Sequence, residues 1–144
     1  MTNEKQVMIF IVDDDALFLK DLEIEFTLNG DFAIKAFKTG EECLEHLGLK
    51  PDIIILDYQL NGIDENAMNG LETLAKIKAT HAYIPVIMLS SQDKIDVAVN
   101  CMHHNAFDYV VKSETAFLRL RKDITSIFKY KEIEKTLNWY MDHA

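Results

Sequence analysis

The chain has 144 residues, 49% of them apolar, with 5 glycines and 2 prolines. That is enough for one domain with a real core, too short for two of typical size, and too apolar for a disordered chain. A formal net charge of −9 makes nucleic acid and anionic membrane surfaces poor partners.

Residues 1–5 are polar and carry no signal-peptide core. The first apolar run, Val7–Val12 (VMIFIV), is the longest, far short of the ~20 residues that span a bilayer. The cytosol is the expected compartment. Residues 15–29 follow with Leu17, Leu19, Leu22, Ile24, Phe26 and Leu28, which predict a helix with a broad apolar face. The Asn29-Gly30 pair ends it. Phe32–Phe37 (FAIKAF) reads as an edge or near-edge strand, and residues 40–48, with Cys43, Leu44 and Leu47, as a second helix. After Lys50-Pro51 comes Ile53–Leu56 (IIIL), apolar on both faces as a buried parallel strand requires. A polar join, Asn61–Asn69, is unusually long for a strand-to-helix connection. Residues 70–79 are helical, Ile84–Leu89 (IPVIML) is another buried strand, and residues 93–104 are helical, with Ile95, Val97, Ala98, Val99 and Met102. Phe107–Val111 (FDYVV) is a shorter strand, and from about Glu114 onward there is neither Gly nor Pro. Five β–α repeats in order argue a doubly wound parallel α/β sheet with helices on both faces. Cys43 and Cys101 fit no metal spacing and read as reduced, buried thiols.

In such a fold ligands sit at the carboxyl ends of the strands. Asp13, Asp14 and Asp15 follow the first run, Asp57 the third, Ser90 and Ser91 the fourth, and Lys112 the fifth. Gathered carboxylates repel by about 4 kcal/mol per pair at ~4 Å and an effective dielectric of ~20. A hard divalent cation such as Mg²⁺ relieves this. One aspartate can then attack phosphorus, while Lys112 and Ser90 stabilise the transferred oxygens. Taken singly, each residue has a plainer reading: Asp15 as a helix N-cap, Lys112 as a solvated charge, Ser90 as a turn residue. Their coincidence at four strand ends carries the functional one. His103 and His104 are adjacent, about 100° apart on a helix, and read as surface residues. Asp64 and Glu65 read as a solvated loop.

The blocks VMIFIVDDD, DIIILDYQL, PVIMLSS and FDYVVKS, in this order and spacing, resemble those of response-regulator receiver domains over roughly residues 6–130. The resemblance implies the flavodoxin-like sheet order 2-1-3-4-5. It also implies a phosphoacceptor switch charged by a sensor histidine kinase or phosphotransfer protein, acting on a downstream protein the sequence does not name. Asp13 and Asp14 match the acidic pair that holds Mg²⁺, Asp57 the phosphoacceptor and third ligand, and Gln59 the backbone carbonyl on the metal. Ser90 matches the hydroxyl switch residue, Tyr109 the switch aromatic and Lys112 the phosphoryl-stabilising lysine. The chain departs from the pattern at Asn61, where Pro is usual, at an insertion of about five residues before Gly70, and at Ser113, where Pro follows the lysine. Asn105 replaces a glycine, a position where Asn tolerates a left-handed backbone. The family's Lys-Pro bond is usually cis, so Lys112–Ser113 is expected cis, with Ser113→Pro stabilising.

Residues 1–130 are expected to form the receiver domain and residues 131–144 to extend its last helix. Phe117, Leu120, Ile124, Ile127 and Phe128 make one stripe, and Ile133, Leu137, Tyr140 and Met141 a second, about 150° away. A straight helix cannot lay both on one domain, so the extension is expected to meet a protein partner, most simply a second copy. The chain is expected to be either a stand-alone regulator or part of a longer one. Two rival functions remain: a pseudo-receiver that binds partners without phosphorylation, and an FMN carrier of the same fold. The carrier needs a Ser/Thr/Gly-rich phosphate cradle where three aspartates stand.

Overall fold

The computed structural model describes residues 6–28, 30 and 32–144. Asn29 lies outside these, so its part in the first turn is not described. The strands are β1 (Val7–Val12), β2 (Phe32–Phe37), β3 (Ile53–Asp57), β4 (Val86–Ser90) and β5 (Asp108–Val111). The helices are α1 (Ala16–Leu28), α2 (Gly40–Glu45), α3 (Gly70–Thr80), α4 (Ile95–His103) and α5 (Ala116–Asp142), with a short 3₁₀ turn at Leu47–Leu49. All strand pairs are parallel and the order is β2-β1-β3-β4-β5, as expected. The two mixed runs are the two edges, where one flank of the backbone is unpaired.

Successive side chains of a strand point to opposite faces, so each central strand feeds two cores. Phe10, Val12, Ile54, Leu56 and Met88 pack with Leu74 and Ile77 of α3 on one face. Ile9, Ile11, Ile53, Ile55 and Ile87 pack with α1 and α5 on the other. This is why these runs are apolar at every position. Phe10 is fully buried, with its ring 4.9 Å from that of Phe37 in an edge-on pair. Phe10→Ala is expected to cost about 3–5 kcal/mol. An unchanged denaturant midpoint would contradict that packing.

Two helices bury less than their patterns predict. In α1 only Leu19, Leu22 and Phe26 are buried, whereas Leu17, Ile24 and Leu28 are exposed. The buried set follows i, i+3, i+7, the narrow stripe one helix lays on a sheet. In α4 only Cys101 is buried, and Ile95, Val99 and Met102 face outward. Helix α5 runs unbroken for 27 residues, about 40 Å. Its first half buries Leu120, Ile124 and Ile127, while Ile133, Leu137, Trp139, Tyr140 and Met141 are exposed. Among the described residues no helix is long and apolar enough to cross a membrane.

Candidate functional site

The sheet brings the predicted strand-end residues to one edge. Asp13 and Asp14 leave β1, Asp57 ends β3, Ser90 ends β4 and Lys112 leaves β5. The Lys112 ammonium lies 2.9 Å from Asp13 Oδ2 and 3.5 Å from Asp57 Oδ2, bridging two buried carboxylates. The Phe18 ring from α1 sits 4.5 Å from that ammonium. The Lys112 amide donates to the Ser90 carbonyl at 2.7 Å, which continues the ladder past β5 and fixes the lysine's root.

The Lys112–Ser113 bond does not take the expected cis form: there is no cis peptide among the described residues. A trans backbone already lets Lys112 reach both carboxylates, so nothing offsets the ~2.5–4 kcal/mol that a non-proline cis bond costs. The basis for a stabilising Ser113→Pro disappears with it. Asn105 does take the left-handed conformation, at φ 68°. Asp15 is the N-cap of α1, accepting from the Leu17 and Phe18 amides at 3.1 and 3.3 Å.

Asp13 Oδ1 is held by the Asp15 amide at 2.9 Å, while Asp14 Oδ2 accepts from the Gly62 amide at 3.2 Å. The long join is thereby tied to the acidic pair. The Gln59 amide donates to Asp57 Oδ1 at 3.3 Å, and the exposed Ser91 hydroxyl lies 3.5 Å from the Gln59 side-chain oxygen. Ser90 is buried, its oxygen accepting from the Gln92 amide at 3.0 Å. The Tyr109 hydroxyl donates to the Gln92 carbonyl at 2.6 Å, so both switch candidates meet the segment after β4. Burial pushes the Tyr109 phenol up, partly offset by its hydrogen bond with Ser90.

Carboxylate oxygens of Asp13, Asp14 and Asp57 lie within 4.8 Å of one another. Burial, and then the Asp13 charge beside it, push the Asp57 carboxyl up to about 7 against the pull of Lys112. Burial pulls the Lys112 ammonium down, but its hydrogen bond and charge contacts with Asp13 and Asp57 outweigh this and raise it. Three acids facing one lysine form an all-oxygen set with surplus negative charge, which suits a hard divalent cation such as Mg²⁺. His103 and His104 are not part of this group; His104 Nδ1 bonds its own helix at the Asn100 carbonyl, 2.8 Å away. Asp64 caps a local turn, accepting from the Asn66 amide at 3.0 Å. Cys43 and Cys101 are buried free thiols, and burial pushes Cys43 up to about 12, an unreactive state.

Sequence reasoning passed over three features. Thr39 and Asn69 cap α2 and α3, accepting from Glu42 and Glu72 amides at 3.1 and 2.8 Å. Both are followed by Glu three residues on, the spacing that marks a helix start. Asp108 of β5 is gripped by Arg119 at 2.8 and 3.0 Å, with buried Asp123 beside it. Burial, followed by the nearby Asp108 carboxyl, raises Asp123 to about 7. Only the packing of α5 on β5 brings these together. Finally, the Glu41 carboxylate accepts from the Met68 amide at 3.2–3.3 Å, anchoring the long join at its far end.

Residues 9–125 match the family model of the response regulator receiver domain. The DNA-binding transcriptional regulator NtrC of Klebsiella pneumoniae is 36% identical over 104 residues, covering 72% of this chain and 21% of that protein. The chain therefore spans about a fifth of the regulator it matches. The signal receiver domain of a putative Luxo repressor protein from Vibrio parahaemolyticus shares the fold, with a TM-score of 0.79 at 22% identity, covering 92% of this chain and 98% of that one. The CheX-CheY-BeF3-Mg²⁺ complex from Borrelia burgdorferi matches with a TM-score of 0.73 at 26% identity, over 85% of this chain and 89% of that one.

Proposed function

The chain belongs to the response-regulator receiver family, and from that premise we propose that it is a phosphoacceptor switch in which Asp57 takes the phosphoryl group. The observation that carries this is Lys112 bridging Asp13 and Asp57 in a buried acidic pocket at the sheet edge. Residues 1–130 are the receiver and residues 131–144 its helical extension. The donor is a sensor histidine kinase or a phosphotransfer protein. The output is a changed surface read by a downstream protein, and the extension pairs with a second copy.

Asp13, Asp14 and Asp57, with the Gln59 carbonyl, are the groups that would hold Mg²⁺. When bound, the ion supplies positive charge against the transferred phosphoryl oxygens and against the three acids. Asp57 must be ionised to attack, and its elevated pKa marks the cost of that charge in the metal-free pocket. Its oxygen forms the new bond to phosphorus as the bond to the donor nitrogen breaks, the leaving imidazole keeping the electron pair. Lys112 neutralises one oxygen of the phosphoryl group and the Ser90 hydroxyl donates to another. Drawing Ser90 toward the phosphate frees Gln92 and the Tyr109 hydroxyl it holds, which couples the site to the outer face of β5. The crystallised relative bound to BeF3 and Mg²⁺ supports the same assignment by likeness.

The test is incubation with a small-molecule phosphodonor and Mg²⁺, read by intact-protein mass. A single phosphoryl adduct is expected. Complete absence of adduct with folded protein and saturating donor would favour the pseudo-receiver. Mg²⁺ alone is expected to raise the melting temperature, since ligand linkage adds about 2–3 kcal/mol of stability at a hundredfold excess over its dissociation constant. Protons compete for Asp57, so the rise should be larger at pH 8 than at pH 6. A rise equal at both pH values would place the ion elsewhere.

A further inference from the structure

The Lys112 ammonium meets Asp13 Oδ2 at 2.9 Å, Asp57 Oδ2 at 3.5 Å and the Phe18 ring, whose centroid is 4.5 Å away. The two carboxylates belong to the acidic set of the pocket, and the ring does not. An ammonium within about 6 Å of an aromatic centroid is attracted by the negative face of the ring, and more strongly once water is removed. The Lys112 side chain is only 16% exposed, so the contact is largely desolvated.

Local structure fixes the ring at both ends. Phe18 stands in the first turn of α1, where its amide donates to Asp15 Oδ1 at 3.3 Å. The Asp15 amide in turn donates to Asp13 Oδ1 at 2.9 Å. The root of the ring is thereby tied to the carboxylate whose other oxygen Lys112 grips. The half-buried ring packs on the core that holds Ile9, Ile11 and Leu22, one turn ahead of Leu22. Its neighbour Leu17 is 79% exposed, so the turn directs the aromatic side chain inward and the aliphatic one out.

Lys112 changes partners during the reaction. In the resting pocket its shortest contact is Asp13, but a phosphoryl group on Asp57 requires the ammonium at a phosphoryl oxygen. A lysine that lets go of one anion has a flexible four-carbon stem on which to swing into water. Attraction to a ring face is not directed along any single N–H bond, so it persists while the anions are exchanged. We propose that Phe18 is a positioning residue, whose ring keeps Lys112 over the pocket as the ammonium passes from Asp13 to the phosphoryl oxygen on Asp57. This rests on the phosphoacceptor reading given above and adds a residue outside the acidic set. Without the ring, only the fraction of molecules with Lys112 turned inward reacts at the full rate.

The experiment uses the full chain with a small-molecule phosphodonor and saturating Mg²⁺, following the initial rate of adduct formation by intact-protein mass. Phe18→Leu keeps an apolar side chain on the core and removes the ring face. It should react about tenfold more slowly, equivalent to ~1.4 kcal/mol. Site-specific replacement of Phe18 by a trifluorinated phenylalanine keeps the ring's shape and drains its negative face, and should slow the reaction by a similar factor. A packing role alone would leave the fluorinated protein as fast as wild type, and that result overturns the proposal. Proton NMR of the metal-free, unphosphorylated chain reads the contact independently of the reaction. The Lys112 Cε protons should lie upfield of their positions in Phe18→Leu, through the ring current; coincident positions also overturn the proposal. A wild-type chain that shows the upfield shift but forms no adduct overturns the phosphoacceptor reading, and the positioning role with it, while the ring contact stands.

Discussion

Asp57→Asn is expected to raise the melting temperature of the metal-free protein at pH 8 by several degrees while abolishing the phosphoryl adduct. Asp57 is buried, and burial with the Asp13 charge lifts its carboxyl from an ordinary 3.8 to about 7. The sign follows from linkage. Below the unfolded value both states carry the proton and nothing is lost. As pH rises from there to about 7, the unfolded chain releases the proton and the folded one keeps it, so stability falls. Above about 7 the loss is complete, on the order of 2–4 kcal/mol. Asparagine carries no charge and escapes this, at about 1 kcal/mol for an imperfectly matched buried amide. At ~2–4 °C per kcal/mol for a chain near this size, a gain of about 5 °C at pH 8 should shrink toward zero at pH 4. Asp123 also titrates near 7, so the variant retains part of the wild-type pH dependence. Identical melting-temperature profiles from pH 4 to 8 for the two proteins, measured with a chelator present, would refute the electrostatic account of the pocket.

Gly70→Ala is expected to cost about 3 kcal/mol or more and to slow phosphorylation. An added Cβ would lie 2.2 Å from the Asp57 carbonyl oxygen and 2.6 and 2.7 Å from the Tyr58 Cα and carbonyl oxygen. These are backbone atoms in a fully paired strand and its exit, so no rotamer change relieves the clash. The Gly70 amide also donates to the Tyr58 carbonyl at 3.0 Å, which locks the start of α3 against the strand that presents Asp57. Relief must come from shifting either α3 or Asp57. Gly48→Ala is the matched control, since nothing lies within 4 Å of its added carbon. Chemical denaturation should separate the two variants clearly, and coincident midpoints would show that the close approach does not constrain the loop.

The order of elements was legible in the amino acids because each central strand feeds a core on both faces and each helix stripe a core on one. Val7–Val12, Ile53–Leu56 and Ile84–Leu89 read as interior strands, the last forming at Val86–Ser90 after Pro85, and Phe32–Phe37 and Phe107–Val111, mixed in character, mark the edges. The pocket was legible for the same reason: a parallel sheet aligns every strand's exit at one edge, so residues scattered from Asp13 to Lys112 become neighbours. What pattern could not give was how much of each apolar face is covered. Ile24, Ile95 and Val99 share the chemistry of buried neighbours, yet stand exposed because one helix offers a sheet only a narrow stripe. Nor could local sequence decide the Lys112–Ser113 bond, which depends on whether a trans backbone can reach Asp13 and Asp57, or join Asp108 to Asp123. Composition and periodicity act along the chain and set which elements form. The protonation of Asp57 and Asp123, the bond geometry beside Lys112 and the exposure of Ile133 and Leu137 on α5 depend on distances across it, and only the packed structure holds those.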